Sequence, residues 1–102
     1  MNKSKAEFGH VNIVTRDMAK MCGFFHTHFG MEVSKPTKAS AEWVSAITGF
    51  EDASVTFTVL TSKDQKTRIE VLYFEDPVSP EKADDEAVPN VMGYRHIGFE
   101  VP

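Results

Sequence analysis

The chain has 102 residues, 41% of them hydrophobic and 25% charged, a balance that predicts one ordinary globular domain with a real core and excludes general disorder. The formal net charge of -4 is concentrated between Glu75 and Glu86, where six carboxylates face one lysine. The remainder is close to neutral and carries no basic stripe interleaved with aromatics, so nucleic acid is not an expected partner. Nor is a membrane, because no apolar run approaches the roughly 20 residues needed to span one. The single cysteine, Cys22, has no internal disulfide partner, and the N-terminal residues lack the apolar stretch of a secretory signal; a cytoplasmic, reducing setting is expected.

Phe8 to Val14 is rich in β-branched and apolar residues and reads as a strand, with Val11 and Ile13 on one face and His10, Asn12 and Val14 on the other. Asp17 is a helix N-cap; Met18, Met21, Cys22, Phe25 and Phe29 then recur at spacings of three and four, and Gly30 is placed to end the helix. Met31 to about Lys38 reads as a strand weakened by Pro36, followed by a short helix from a Ser40 cap through Trp43, Val44 and Ile47 to Gly49. Ala53 to Thr61 alternates, with Val55, Phe57 and Val59 on one side and Thr56, Thr58 and Leu60 on the other. A polar turn over Ser62 to Lys66 leads into Thr67 to Phe74 as the return strand of a hairpin.

Pro77, Pro80 and Pro89, with the acidic run, make residues 75–92 a linker, and Tyr94 to Val101 reads as one more strand. The expected class is α+β: a βαβββ module with a mixed sheet over residues 8–74, a linker, and the opening strand of a second module over 93–102. A short repeat motivates the last part. Phe8-Gly9-His10-Val11-Asn12-Ile13 and Tyr94-Arg95-His96-Ile97-Gly98-Phe99 both run aromatic, any, His, β-branched, small or polar, apolar.

Beside the repeated His10 and His96, Glu70 is an anomaly of its own. It shares a strand face with Arg68, Leu72 and Phe74, while Ile69, Val71 and Tyr73 take the other, so both faces are largely apolar and a carboxylate there is costly to bury alone. Two imidazoles and a carboxylate on strands suit a borderline divalent ion: Zn, Ni, Co, Mn or Fe(II). The structural alternative is a half-buried strand histidine at positions 10 and 96 and, for Glu70, an ion pair with a Lys or Arg on a neighbouring strand. His26 and His28, two apart on a helix, diverge and cannot chelate together. Trp43 and Tyr73 are expected in core packing, with a pocket-lining role as the alternative.

The succession GHVNIVTRDMAKMCGFFHTHFGMEV, EWVSAITGFEDASVTFTVL, RIEVLYFEDP and VMGYRHIGFEVP resembles the vicinal-oxygen-chelate superfamily of glyoxalase I, methylmalonyl-CoA epimerase, extradiol dioxygenases and bleomycin-resistance proteins. The resemblance implies paired βαβββ modules forming a U-shaped sheet around a metal. By position it makes His10 the first-strand ligand, Glu70 the last-strand ligand and His96 the first-strand ligand of a second module; the fourth ligand has no counterpart within the sequence. A Glu at position 70 resembles glyoxalase I, where the epimerases tend to carry Gln, although the Arg and Asn positions that grip glutathione are not evident.

The implied function is lyase or isomerase chemistry on a small oxygen-chelating substrate, through a metal-stabilised enediolate, with Glu70 as ligand and catalytic base. A half-site of this kind implies a homodimer, either pairing two copies of His10 and Glu70 or swapping the strand around His96. The alternatives are a metal-free small-molecule-binding protein of the bleomycin-resistance sort and an inactive partial gene product.

Overall fold

The computed structural model describes residues 6–39, 42–80, 90 and 97–101. In chain order the elements are β1 (Val11–Val14), α1 (Met18–Phe29), β2 (Glu32–Val33), β3 (Thr37–Ala39), α2 (Glu42–Thr48), β4 (Ser54–Thr61) and β5 (Arg68–Asp76). They form a mixed sheet in the order β1-β5-β4-β2, with β3 also on β4. The β1–β5 pair is parallel and the others antiparallel, so the α+β class with a mixed sheet holds.

The alternation read from the residues sets the two faces. Val11 and Ile13 of β1, Ile69 and Val71 of β5 and Leu60 of β4 lie beneath α1, where Cys22, Phe25 and Met31 complete a buried core. Both ends of α1 close as their residues dictate. Asp17 Oδ1 accepts from the Lys20 amide at 3.0 Å. Gly30 turns left-handed at φ 67°, its N–H bonding to the His26 carbonyl. On the opposite face α2 lays Val44 over Ala53 and Val55, with Ala39, Leu72 and Phe74 packed around them. The strand that carries Glu70 is therefore covered on both sides.

Three expectations are corrected in detail. β1 begins at Val11 and not at Phe8, because its partner β5 starts at Arg68 and leaves residues 8–10 no ladder to join. The strand expected from Met31 to Lys38 is two strands. Val33 faces Leu60 and Thr37 faces Phe57, so the edge takes four steps where β4 takes three, around a proline that has no N–H to donate. Ser34 bridges the break, its amide donating to the Val59 carbonyl at 3.0 Å and its hydroxyl accepting from the Val59 amide at 2.9 Å. Lastly, β5 continues through Asp76, two residues into the expected linker, because Asp76 still pairs with Ser54.

The expected cap at Ser40 and most of the linker lie outside the described residues. So do Tyr94 to His96. Residues 97–101 form no ladder with a strand, and Phe99 stacks on Phe29 at 4.4 Å between ring centroids.

Candidate functional site

The parallel register sets Asn12 directly opposite Glu70. Both side chains leave the sheet on the face away from α1, and Asn12 Nδ2 donates to Glu70 Oε1 at 3.2 Å. His10, just ahead of β1, brings its Nε2 to 3.4 Å from the same oxygen. The two side chains are 42% and 27% exposed, so the pair is open to solvent on one side and backed by the sheet on the other. Among the described residues Glu70 pairs with no lysine or arginine, its partners being His10 and Asn12.

This polar group stands at one end of a cavity of about 320 Å³. The other end is apolar: Val55, Phe57 and Leu72 rise from the sheet, and Trp43, Val44 and Ile47 descend from α2. The short helix is held in place by local bonds. The Thr48 hydroxyl donates to the Val44 carbonyl at 2.8 Å, the Gly49 amide donates to the Ser45 carbonyl at 2.8 Å, and the Ser45 hydroxyl accepts from the Ala53 amide at 3.3 Å. Val44 is thereby buried while Trp43 and Ile47 stay 57% and 74% exposed at the cavity mouth.

Of the three site residues expected from the sequence, His10 and Glu70 come together, although they are separated by almost the whole module. His96 lies outside the described residues. Among the described residues no three His, Cys, Asp or Glu side chains gather closely enough to hold an ion. His26 and His28 diverge as expected: His26 Nδ1 is 3.0 Å from the Met31 carbonyl, and His28 rests on the Phe24 ring. Trp43 lines the cavity, whereas Tyr73 belongs to the opposite face, across from Thr56.

Asn12 is the partner that the sequence reading left unremarked. Its signal was present in the parity of β1, which puts it on the same face as His10; what could not be seen was the strand it would adjoin.

A second carboxylate is held firmly but away from the cavity. Glu75 accepts hydrogen bonds from the Thr56 and Ser54 hydroxyls and pairs with Lys38 at 3.3 Å. Those bonds, the Thr56 hydroxyl foremost, hold its pKa below the ordinary glutamate value. The Thr56–Tyr73 and Lys38–Thr56 registers set this cluster on the α1 side of the sheet. It is a clamp between strands.

The sheet order, the helix against one face and the polar-ended cavity on the other define the glyoxalase type of α+β module. The sequence profile of the Glyoxalase/Bleomycin resistance protein/Dioxygenase superfamily matches residues 7–102, and the chain belongs to that superfamily. A solved structure, that of a glyoxalase family protein from Bacillus cereus, is similar at 27% identity and a TM-score of 0.76; the match covers 92% of this chain and 62% of that one. The chain thus spans about 62% of the length of the solved protein it matches. No curated protein matches it. Among the described residues no helix is long and apolar enough to cross a membrane.

Proposed function

We propose that the chain supplies one wall of a glyoxalase-type site in which His10 and Glu70 hold a divalent ion (Zn, Ni, Co, Mn or Fe(II)) for chemistry on a small substrate with two neighbouring oxygens. The carrying observation is the convergence of His10 Nε2 and Glu70 Oε1 at 3.4 Å, at the polar end of an otherwise apolar cavity. That separation fits the donor set. Two ligands each roughly 2.0–2.2 Å from a common tetrahedral ion stand about 3.3–3.6 Å apart. An imidazole nitrogen with a carboxylate oxygen is also the donor chemistry that borderline divalent ions favour. A bound ion supplies Lewis acidity toward the two substrate oxygens.

The chain's own residues do the rest. Asn12 holds Glu70 Oε1 against the sheet, and Oε2 has no partner among the described residues. Glu70 Oε2 is accordingly the atom assigned to take a proton from the carbon beside the substrate carbonyl and return it to the neighbouring carbon, which is lyase or isomerase chemistry. The further donors come from a homodimer along β1, whose outer edge has no strand beside it among the described residues, either as a second copy of the His10 and Glu70 pair or as His96 on a swapped strand. The buried single thiol of Cys22 suits a cytoplasmic, reducing setting.

The test is metal content by mass spectrometry, read together with native mass. The protein should carry about one ion per assembled site, and His10→Ala and Glu70→Gln should each release it. Wild-type protein that stays metal-free when supplied with all five ions refutes the reading and leaves a metal-free small-molecule-binding role.

A further inference from the structure

The cavity is divided in a way that constrains what can enter it. At one end stand His10, Asn12 and Glu70; the rest of the lining is apolar apart from Thr48, whose hydroxyl is already committed to the Val44 carbonyl. Glu70 is the one charged side chain in the lining among the described residues, and no lysine or arginine joins it. A charge carried on the far part of a ligand would therefore be desolvated against Val44, Val55 and Leu72 with no counter-ion among the described residues, which is strongly unfavourable. An apolar body gains there by leaving water. At about 320 Å³ the space lies at the small end of ligand cavities, which run roughly 300–1,000 Å³.

We infer that the ligand of this site has an uncharged, ring-sized apolar body, which lies between α2 and the sheet against Trp43, Val44, Ile47, Val55, Phe57 and Leu72, and an oxygen-bearing end at His10 and Glu70. The inference rests on the functional reading above for its oxygen end; its apolar end stands on the lining alone. A ligand tethered to a multiply charged carrier is disfavoured, because α2 offers that carrier no cation. Selectivity then resides in a seven-residue helix whose outer side chains, Trp43 and Ile47, are largely exposed and replaceable without loss of the buried core.

Calorimetric titration of the full chain with three ketols of identical oxygen end tests this. The probes are hydroxyacetone, 2-hydroxyacetophenone, and 2-hydroxyacetophenone bearing a para carboxylate, each titrated with Zn(II) present and again after chelation. The neutral aryl ketol should bind at least about tenfold more tightly than hydroxyacetone, the difference expected from burying a ring, and by a similar factor more tightly than its carboxylate derivative. Trp43→Ala should lower its affinity about fivefold and leave hydroxyacetone unchanged, with an unaltered circular dichroism spectrum. Equal affinity for aryl and methyl ketols, equal affinity for the charged and neutral aryl ketols, or no heat from the neutral aryl ketol in either condition overturns the inference. A ring preference that persists with no response to Zn(II) sinks the ion-holding role and leaves the apolar pocket standing; Zn(II) binding without a ring preference does the reverse.

Discussion

Replacing Glu70 with valine asks whether the carboxylate serves the fold or is carried at the fold's expense. The side chain is 27% exposed and is flanked on its face by Leu72 and, across the hairpin, by Val59. A β-branched apolar residue suits that strand, and complete burial of a valine side chain contributes roughly 1.5–3 kcal/mol, so about three-quarters burial contributes about 1.5 kcal/mol. Against this stand the Asn12 hydrogen bond and the His10 contact, both partly exposed, whose loss costs on the order of 0.5 kcal/mol because water replaces them. The net expectation is a metal-free domain more stable by about 1 kcal/mol, or roughly 4–8 °C in melting temperature at this size. Urea unfolding in chelator, with the slope unchanged, measures it. A loss of about 1 kcal/mol or more would make Glu70 a structural residue and refute the reasoning.

Three further outcomes follow from single residues. Thr58 is fully buried and its hydroxyl lacks a partner among the described residues, so Thr58→Val should stabilise the domain by about 1–2 kcal/mol in chemical denaturation; destabilisation would mean the hydroxyl has a partner. Gly30 sits at φ 67°, and Gly30→Ala should cost about 1 kcal/mol, read from the denaturation midpoint, through left-handed strain with little added by the flexible Lys63 methylene nearby. Glu75 has a depressed folded-state pKa, so its contribution is complete above the ordinary glutamate range near about pH 4.3 and is lost as pH falls through the lower folded value. Glu75→Gln should flatten the acid limb of the stability profile, and an unchanged limb would count against the clamp.

How far these features could be read in advance depended on whether they are local. The helix caps Asp17 and Gly30, the alternation of β4 and β5 and the anomaly of Glu70 are written in neighbouring residues, and each appears where the pattern put it. Pro36 weakened its strand on paper, but the surplus residue beside it depends on the β4 register and was invisible. The same limit hid Asn12, whose role exists only because β1 lies parallel to β5, and it obscured Trp43, which lines the cavity because α2 packs Val44 against that face of the sheet. Pairing between distant segments carries the site, and one-dimensional periodicity does not encode it.

The surplus residue between Val33 and Thr37 also makes the two borders of the sheet unequal. On that side the backbone is kinked, holds Pro36 and displays Lys35 and Lys38, features that spoil any attempt by another chain to extend the ladder. The opposite border, Val11 to Val14, has neither proline nor lysine and keeps a regular register with β5. Among the described residues, growth of the sheet is thus opposed in one direction and unopposed in the other, and the unopposed direction is the one that runs past His10. A strand added along that border would lie beside the candidate site.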